Sequence, residues 1–76
     1  MPRVTPQHWR TLKKVFELVG FREERRKGDH ICMVKPGVAR AVVIPKYDQV
    51  GRDIILANLR TAGLSRDEYV KILSRV

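Results

Sequence analysis

The residues with the clearest chemical content run from 25 to 34: Arg25-Arg26-Lys27-Gly28-Asp29-His30-Ile31-Cys32-Met33-Val34. Three consecutive cations lead into a glycine turn, and the turn delivers one histidine to the head of an apolar run. An imidazole titrates at about 6.5 when unperturbed, so it both takes and releases protons near neutrality. Cations around it are what an anionic substrate such as RNA calls for. The pairing points to a small nucleic-acid enzyme ahead of a passive binding domain.

Metal-free RNA cleavage needs a base for the ribose 2′-hydroxyl and an acid for the departing 5′-oxygen. It also needs cations for the charge that builds on the phosphoryl oxygens. His30 can fill one proton-transfer role, worth roughly 10²–10⁴-fold. Arg25, Arg26 and Lys27 are the candidates for stabilising negative charge. Strand alternation would aim only some of them at His30. No second histidine lies nearby, so Tyr47 and water are the candidates for the second proton. Asp29 is a possible auxiliary that could orient His30, or repel phosphate instead. Lys13 and Lys14 extend the basic surface.

Other reactive residues read more plainly. His8 falls in the first turn of a helix and faces solvent. Trp9 reads as a core or staple residue rather than a base-stacking platform. Cys32 reads as a small buried hydrophobe, since a Cys/His/Asn set does not accompany it. Asp48 and Asp53 read as turn and helix-start residues. One cysteine excludes an intramolecular disulfide, and the scattered carboxylates lack metal-ligand spacing, so no metal or cofactor is expected.

Lys and Arg number 16 against 8 Asp and Glu, a net charge of +8. Half of the cations lie in residues 1–30. Such an excess steers polyanions and speeds their association. A phosphate-binding face is the functional reading; a solvated surface, or a grip on an acidic protein, is the alternative. With 76 residues the chain is expected to form one domain, 1–76, of marginal stability. It has no apolar run near the roughly 18–20 residues that span a membrane. Met1-Pro2-Arg3-Val4-Thr5-Pro6 lacks the apolar core of a signal peptide. A soluble cytoplasmic protein, not a membrane-bound one, is expected.

Six elements must position these residues. Thr5 reads as a cap and Pro6 as the first position of a helix carrying Trp9, Leu12, Phe16 and Val19 at three- and four-residue spacing. Gly20 ends it. Strands are expected over Phe21–Arg26, His30–Lys35 and Val38–Ile44, with turns at Lys27-Gly28-Asp29 and Pro36-Gly37. Val42-Val43-Ile44 reads as central or well covered. Short connections imply an antiparallel meander. Lys46–Gly51 is a loop after Pro45. A helix over Arg52–Ala62 carries Ile55, Leu56, Leu59 and Ala62 on one stripe, and Gly63 ends it. Ser65-Arg66-Asp67-Glu68 is a capping box ahead of Tyr69, Ile72, Leu73 and Val76. The class is α+β, α-β-β-β-α-α, with helices on one sheet face and the other open.

Several stretches together resemble one family. They are Gly20-Phe21, Arg25 through His30, Val43-Ile44-Pro45, and Leu59-Arg60-Thr61-Ala62-Gly63-Leu64-Ser65-Arg66-Asp67-Glu68-Tyr69. In order and spacing they are similar to HicA-type toxins, also called YcfA-like proteins, from about Trp9 to Leu73. The resemblance implies a fold like the double-stranded-RNA-binding domain, a three-stranded antiparallel sheet backed by helices. It implies an mRNA interferase of a type II toxin–antitoxin pair, acting on single-stranded RNA, with His30 in the place of the catalytic histidine. It also implies a HicB-type antitoxin that covers the active face. Two positions depart from the family pattern: Asp29 stands where serine is common, and Ile31 where a second histidine is frequent. The alternative is a non-catalytic RNA-binding or antitoxin-binding module of the same fold.

Overall fold

Six elements succeed one another in the computed structural model, which describes residues 3–76. They are α1 (Trp9–Val19), β1 (Arg22–Lys27), β2 (His30–Val34), β3 (Val42–Pro45), α2 (Arg52–Ala62) and α3 (Arg66–Leu73). The order and class are the expected ones. Met1 and Pro2 belong to the segment read for a signal peptide and to the 1–76 domain range. They lie outside the described residues.

Leu12, Val15 and Phe16 repeat on one face of α1 and are fully buried. The helix begins later than Thr5-Pro6 suggests. Gln7 and Val50 exchange backbone hydrogen bonds of 3.2 and 2.7 Å, and Val4 is buried, which holds this arm out of the helix. His8 is the cap in place of Thr5. Its backbone is extended, and its Nδ1 accepts the Arg10 N–H at 3.1 Å. At the far end Gly20 adopts φ 110°, a left-handed conformation that lets the Phe21 N–H reach the Phe16 carbonyl at 2.9 Å. Phe21 then meets Phe16 edge-on, with ring centres 5.6 Å apart.

The sheet order is β1-β2-β3 and both pairings are antiparallel. The β-branched run of β3 is therefore on an edge rather than central, and Val43 is 41% exposed. β3 is also shorter than Val38–Ile44. Its pairing with β2 ends at Met33↔Val42, so residues 38–41 belong to the connection. The Val38 N–H closes a turn onto the Lys35 carbonyl at 3.1 Å, and Val38 packs against the core from that loop. Its apolar character serves packing rather than pairing. Pro45 ends β3 from inside, because an edge strand tolerates a missing N–H. β1 starts at Arg22, one residue later than expected, and extends to Lys27.

Ile31 and Met33 of β2, and Val42 and Ile44 of β3, are fully buried beneath the helices. α1 packs on β3 and α3, and α2 packs on β3. Ile55 and Leu59 anchor α2, while Leu56 and Ala62 are half-buried. Tyr69 anchors α3; its hydroxyl is enclosed without a hydrogen-bond partner among the described residues, and burial pushes the phenol up to about 12. α3 stops at Leu73, so Val76 falls beyond it and is exposed.

The expected capping box is present. Ser65 Oγ accepts the Glu68 N–H at 3.1 Å, and a Glu68 carboxylate oxygen accepts the Ser65 N–H at 3.2 Å. These bonds hold the Glu68 carboxyl below its usual range. Ser65→Ala should lower stability by about 1 kcal/mol, read from the urea midpoint. The Glu68 contribution is complete above the ordinary carboxyl value of 4.5 and is lost as pH falls through its depressed folded-state value. The stability gap between wild type and Glu68→Ala should accordingly narrow on acidification.

Candidate functional site

His30 is placed by a hairpin. Lys27 and His30 pair directly, which leaves Gly28-Asp29 as a two-residue loop. Gly28 has φ 58° and Asp29 a negative φ, the glycine-first pattern of a type II′ turn. The Lys46 N–H donates to the Asp29 carbonyl at 2.6 Å and ties this turn to the chain leaving β3. His30 is thus held between Lys27 on one side and Pro45 on the other.

Residues opposed across a sheet share a face. Ile31 and Met33 point into the core, so His30, Cys32 and Val34 point to the face without helices. Register puts Lys27, Arg25 and Arg22 of β1 there too, with Pro45 and Val43 of β3. His30, Lys27, Arg25 and Arg22 are exposed. Cys32 is half-buried between Arg25 and Val43 rather than a core residue.

Arg26 lies on the other face, opposite Ile31. Its Nε donates to Glu23 at 2.8 Å, and Lys13 Nζ lies 3.2 Å from the other Glu23 oxygen and 3.8 Å from Glu17. The Arg26 hydrogen bond, assisted by Lys13, holds the Glu23 carboxyl below its usual range, and Glu23 in turn raises Arg26. A register shift between Glu23 and Arg25 makes this possible. The extra residue turns Glu23 to the same side as Arg26 and returns Arg22 to the open face.

The expected set is therefore divided. His30, Lys27 and Arg25 come together on the open face. Arg26 and Lys13 belong to an ion-pair network on the helix side, and Lys14 is exposed on α1. Tyr47 follows β3; its carbonyl accepts the Trp9 N–H at 3.2 Å and its side chain is half-exposed. Among the described residues, neither the Tyr47 hydroxyl nor the Asp29 carboxylate is hydrogen-bonded to His30. Nor do three His, Cys, Asp or Glu side chains among them cluster as metal ligands.

Two features escape a reading of the sequence. Arg22 joins the open face only because of the bulge. Trp9 gathers cations that are distant in sequence: Arg10 at 5.1 Å, Lys46 at 5.3 Å and Arg26 at 5.8 Å from its ring centre. His8 stacks beside the same indole at 5.7 Å, and its Nε2 lies 3.6 Å from Asp48.

A family model described as HicA toxin of bacterial toxin-antitoxin matches residues 9–64. The chain belongs to the HicA toxin family. It is a toxin of a toxin–antitoxin system, a class whose members are paired with an antitoxin. The matched span of this HicA toxin runs from the first residue of α1 to just past α2, and so contains the whole hairpin and sheet. Comparison with curated proteins and with solved structures gives no match.

Gly28 is the residue on which the placement of His30 turns. An added Cβ would meet no atom within 4 Å, so Gly28→Ala introduces backbone strain alone. The substitution should cost about 1–2 kcal/mol. A urea titration should show a lower midpoint at unchanged slope.

Proposed function

We propose that this HicA toxin is an mRNA interferase, an endoribonuclease that cuts single-stranded RNA without a metal ion through His30. The observation that supports it most is the register Lys27↔His30↔Pro45. It sets an exposed imidazole beside an exposed ammonium on the sheet face that the helices leave uncovered, with Arg25 close by.

His30 takes the proton from a ribose 2′-hydroxyl. The oxygen attacks the adjacent phosphorus, and an O2′–P bond forms. Lys27 and Arg25 stabilise the negative charge on the non-bridging oxygens. The P–O5′ bond breaks, and the 5′-oxygen takes its proton from water, which reaches this open face freely. The products end in a 2′,3′-cyclic phosphate and a 5′-hydroxyl. His30 returns its proton to solvent.

A HicB-type antitoxin is the proposed partner, covering the open face and the surplus of positive charge. The proposed place of action is the cytoplasm, where messenger RNA is met; among the described residues no helix is long and apolar enough to cross a membrane. A non-catalytic RNA-binding module is the second reading. It is favoured by one observation: no second proton-carrying side chain is hydrogen-bonded to His30 among the described residues.

The test is cleavage of a long single-stranded RNA in EDTA by wild type and His30→Ala side by side. Wild type should cut, and the variant should be slower by roughly 10²–10⁴-fold. His30 is exposed, so the urea midpoint should barely move. Equal cutting by both proteins would remove His30 from the chemistry. Binding without cutting by either would establish the second reading.

A further inference from the structure

The Trp9 cluster is not part of the His30 face. Arg10, Lys46 and Arg26 converge on one indole, each within 6 Å of its centre. Like charges gathered this way repel, and the electron-rich ring offsets only part of that. Carboxylates answer one of the three: Arg26 is bonded to Glu23. Arg10 and Lys46 have no carboxylate partner among the described residues, and Asp48 faces His8 instead. The same indole borders an open cleft of about 310 Å³ on the α1 side of the sheet, lined also by Arg10, Arg26, Lys14 and the ion-paired Lys13 and Glu17, with Lys46 outside that lining. Positive charge without its counter-ion, beside open space, is a place for an anion.

We infer that this cluster is a second phosphate subsite, which holds a backbone phosphate of the RNA strand at a distance from the bond that His30 cuts. The inference rests on the RNA-cleaving reading and deepens it. Lys46 supplies the connection. It follows Pro45, the register partner of His30, and its N–H is bonded to the Asp29 carbonyl of the hairpin turn. Its ammonium reaches the opposite side, over Trp9. A strand leaving His30 round the end of the sheet therefore meets Lys46 and then Arg10. A phosphodiester has two free oxygens, which suit the two parallel N–H donors of a guanidinium, and the Lys46 ammonium against the same ring adds charge to the subsite.

Trp9 is the single tryptophan of the chain, so its emission reports on the subsite directly. The probes are 2′-O-methyl oligoribonucleotides, which bind but cannot be cut, in a series from a dinucleotide upward. Longer members should alter Trp9 emission and the dinucleotide should not. The double variant Arg10→Gln, Lys46→Gln should bind the longest member about tenfold more weakly, with dinucleotide affinity unchanged. Its log affinity should fall less steeply with log salt, by about 0.7, the value for one phosphate of a single strand. Arg10→Lys, Lys46→Arg, which keeps both charges, should restore most of the affinity. Unchanged affinity and slope in the Gln double variant would overturn the inference. So would an equal loss for dinucleotide and long strand, which would trace the effect to the hairpin. If wild type shows the expected binding but cuts no RNA, the subsite stands and the cleavage reading falls. If it binds no RNA, both fall.

Discussion

The arrangement of the open face depends on one register, Lys27↔His30, closed by Gly28 and Asp29. A slip of one residue would exchange the two faces of β2. Ile31 and Met33 would leave the core and His30 would enter it. The cost is large, since each buried aliphatic side chain of this size contributes roughly 1.5–3 kcal/mol. Ile31 and Met33 lie opposite Ile44 and Val42, and all four are fully buried. The hydrophobic core thus fixes which way the imidazole points, and the turn fixes where along the strand it stands. The bond from Lys46 to the Asp29 carbonyl adds a third tether from the far strand.

Charge is sorted by the same sheet. β1 carries four cations and two acids in six residues, Arg22 to Lys27. With simple alternation, Glu23 would share the face of Arg25 and Lys27 and weaken its field. The bulge removes Glu23 to the helix side, where Lys13 and Arg26 engage it. What remains outward from the paired positions of β1 is Arg22, Arg25 and Lys27, all positive. The bulge therefore leaves cations alone at the outward paired positions of a mixed-charge strand, with Glu24 exposed as the unpaired extra residue. On the proposed reading, an RNA phosphate approaching His30 would meet that face, and so would the acidic surface of a partner protein.

Local signals were legible in the sequence and long-range ones were not. The capping box of α3 and the positive φ at Gly20, Gly28 and Gly63 involve residues a few positions apart, and each is present. Thr5-Pro6 has the same kind of signal and does not cap α1. The pairing of Gln7 with Val50 crosses 43 positions and overrides it. Val42-Val43-Ile44 suggested a central or well-covered strand; Val42 and Ile44 are covered, yet strand order is a property of the whole sheet and left β3 on an edge. For the site, the turn made His30 and Lys27 readable together. Dividing Arg25 from Arg26 needed the alternation, and assigning Glu23 and Arg22 needed the bulge, which has no plain sequence mark here. Lys46 and Trp9 meet only through folding.

The most direct measurement is a two-dimensional NMR titration of the labelled toxin with an uncleavable 2′-O-methyl dinucleotide. The chain has only two histidines, so their ring signals are simply assigned. The His30 ring should move together with the amides of Lys27, Cys32 and Val43, while the amides of α2 and α3 stay in place. Shifts confined to α2 and α3, with the His30 ring unmoved, would contradict a substrate site on the open face.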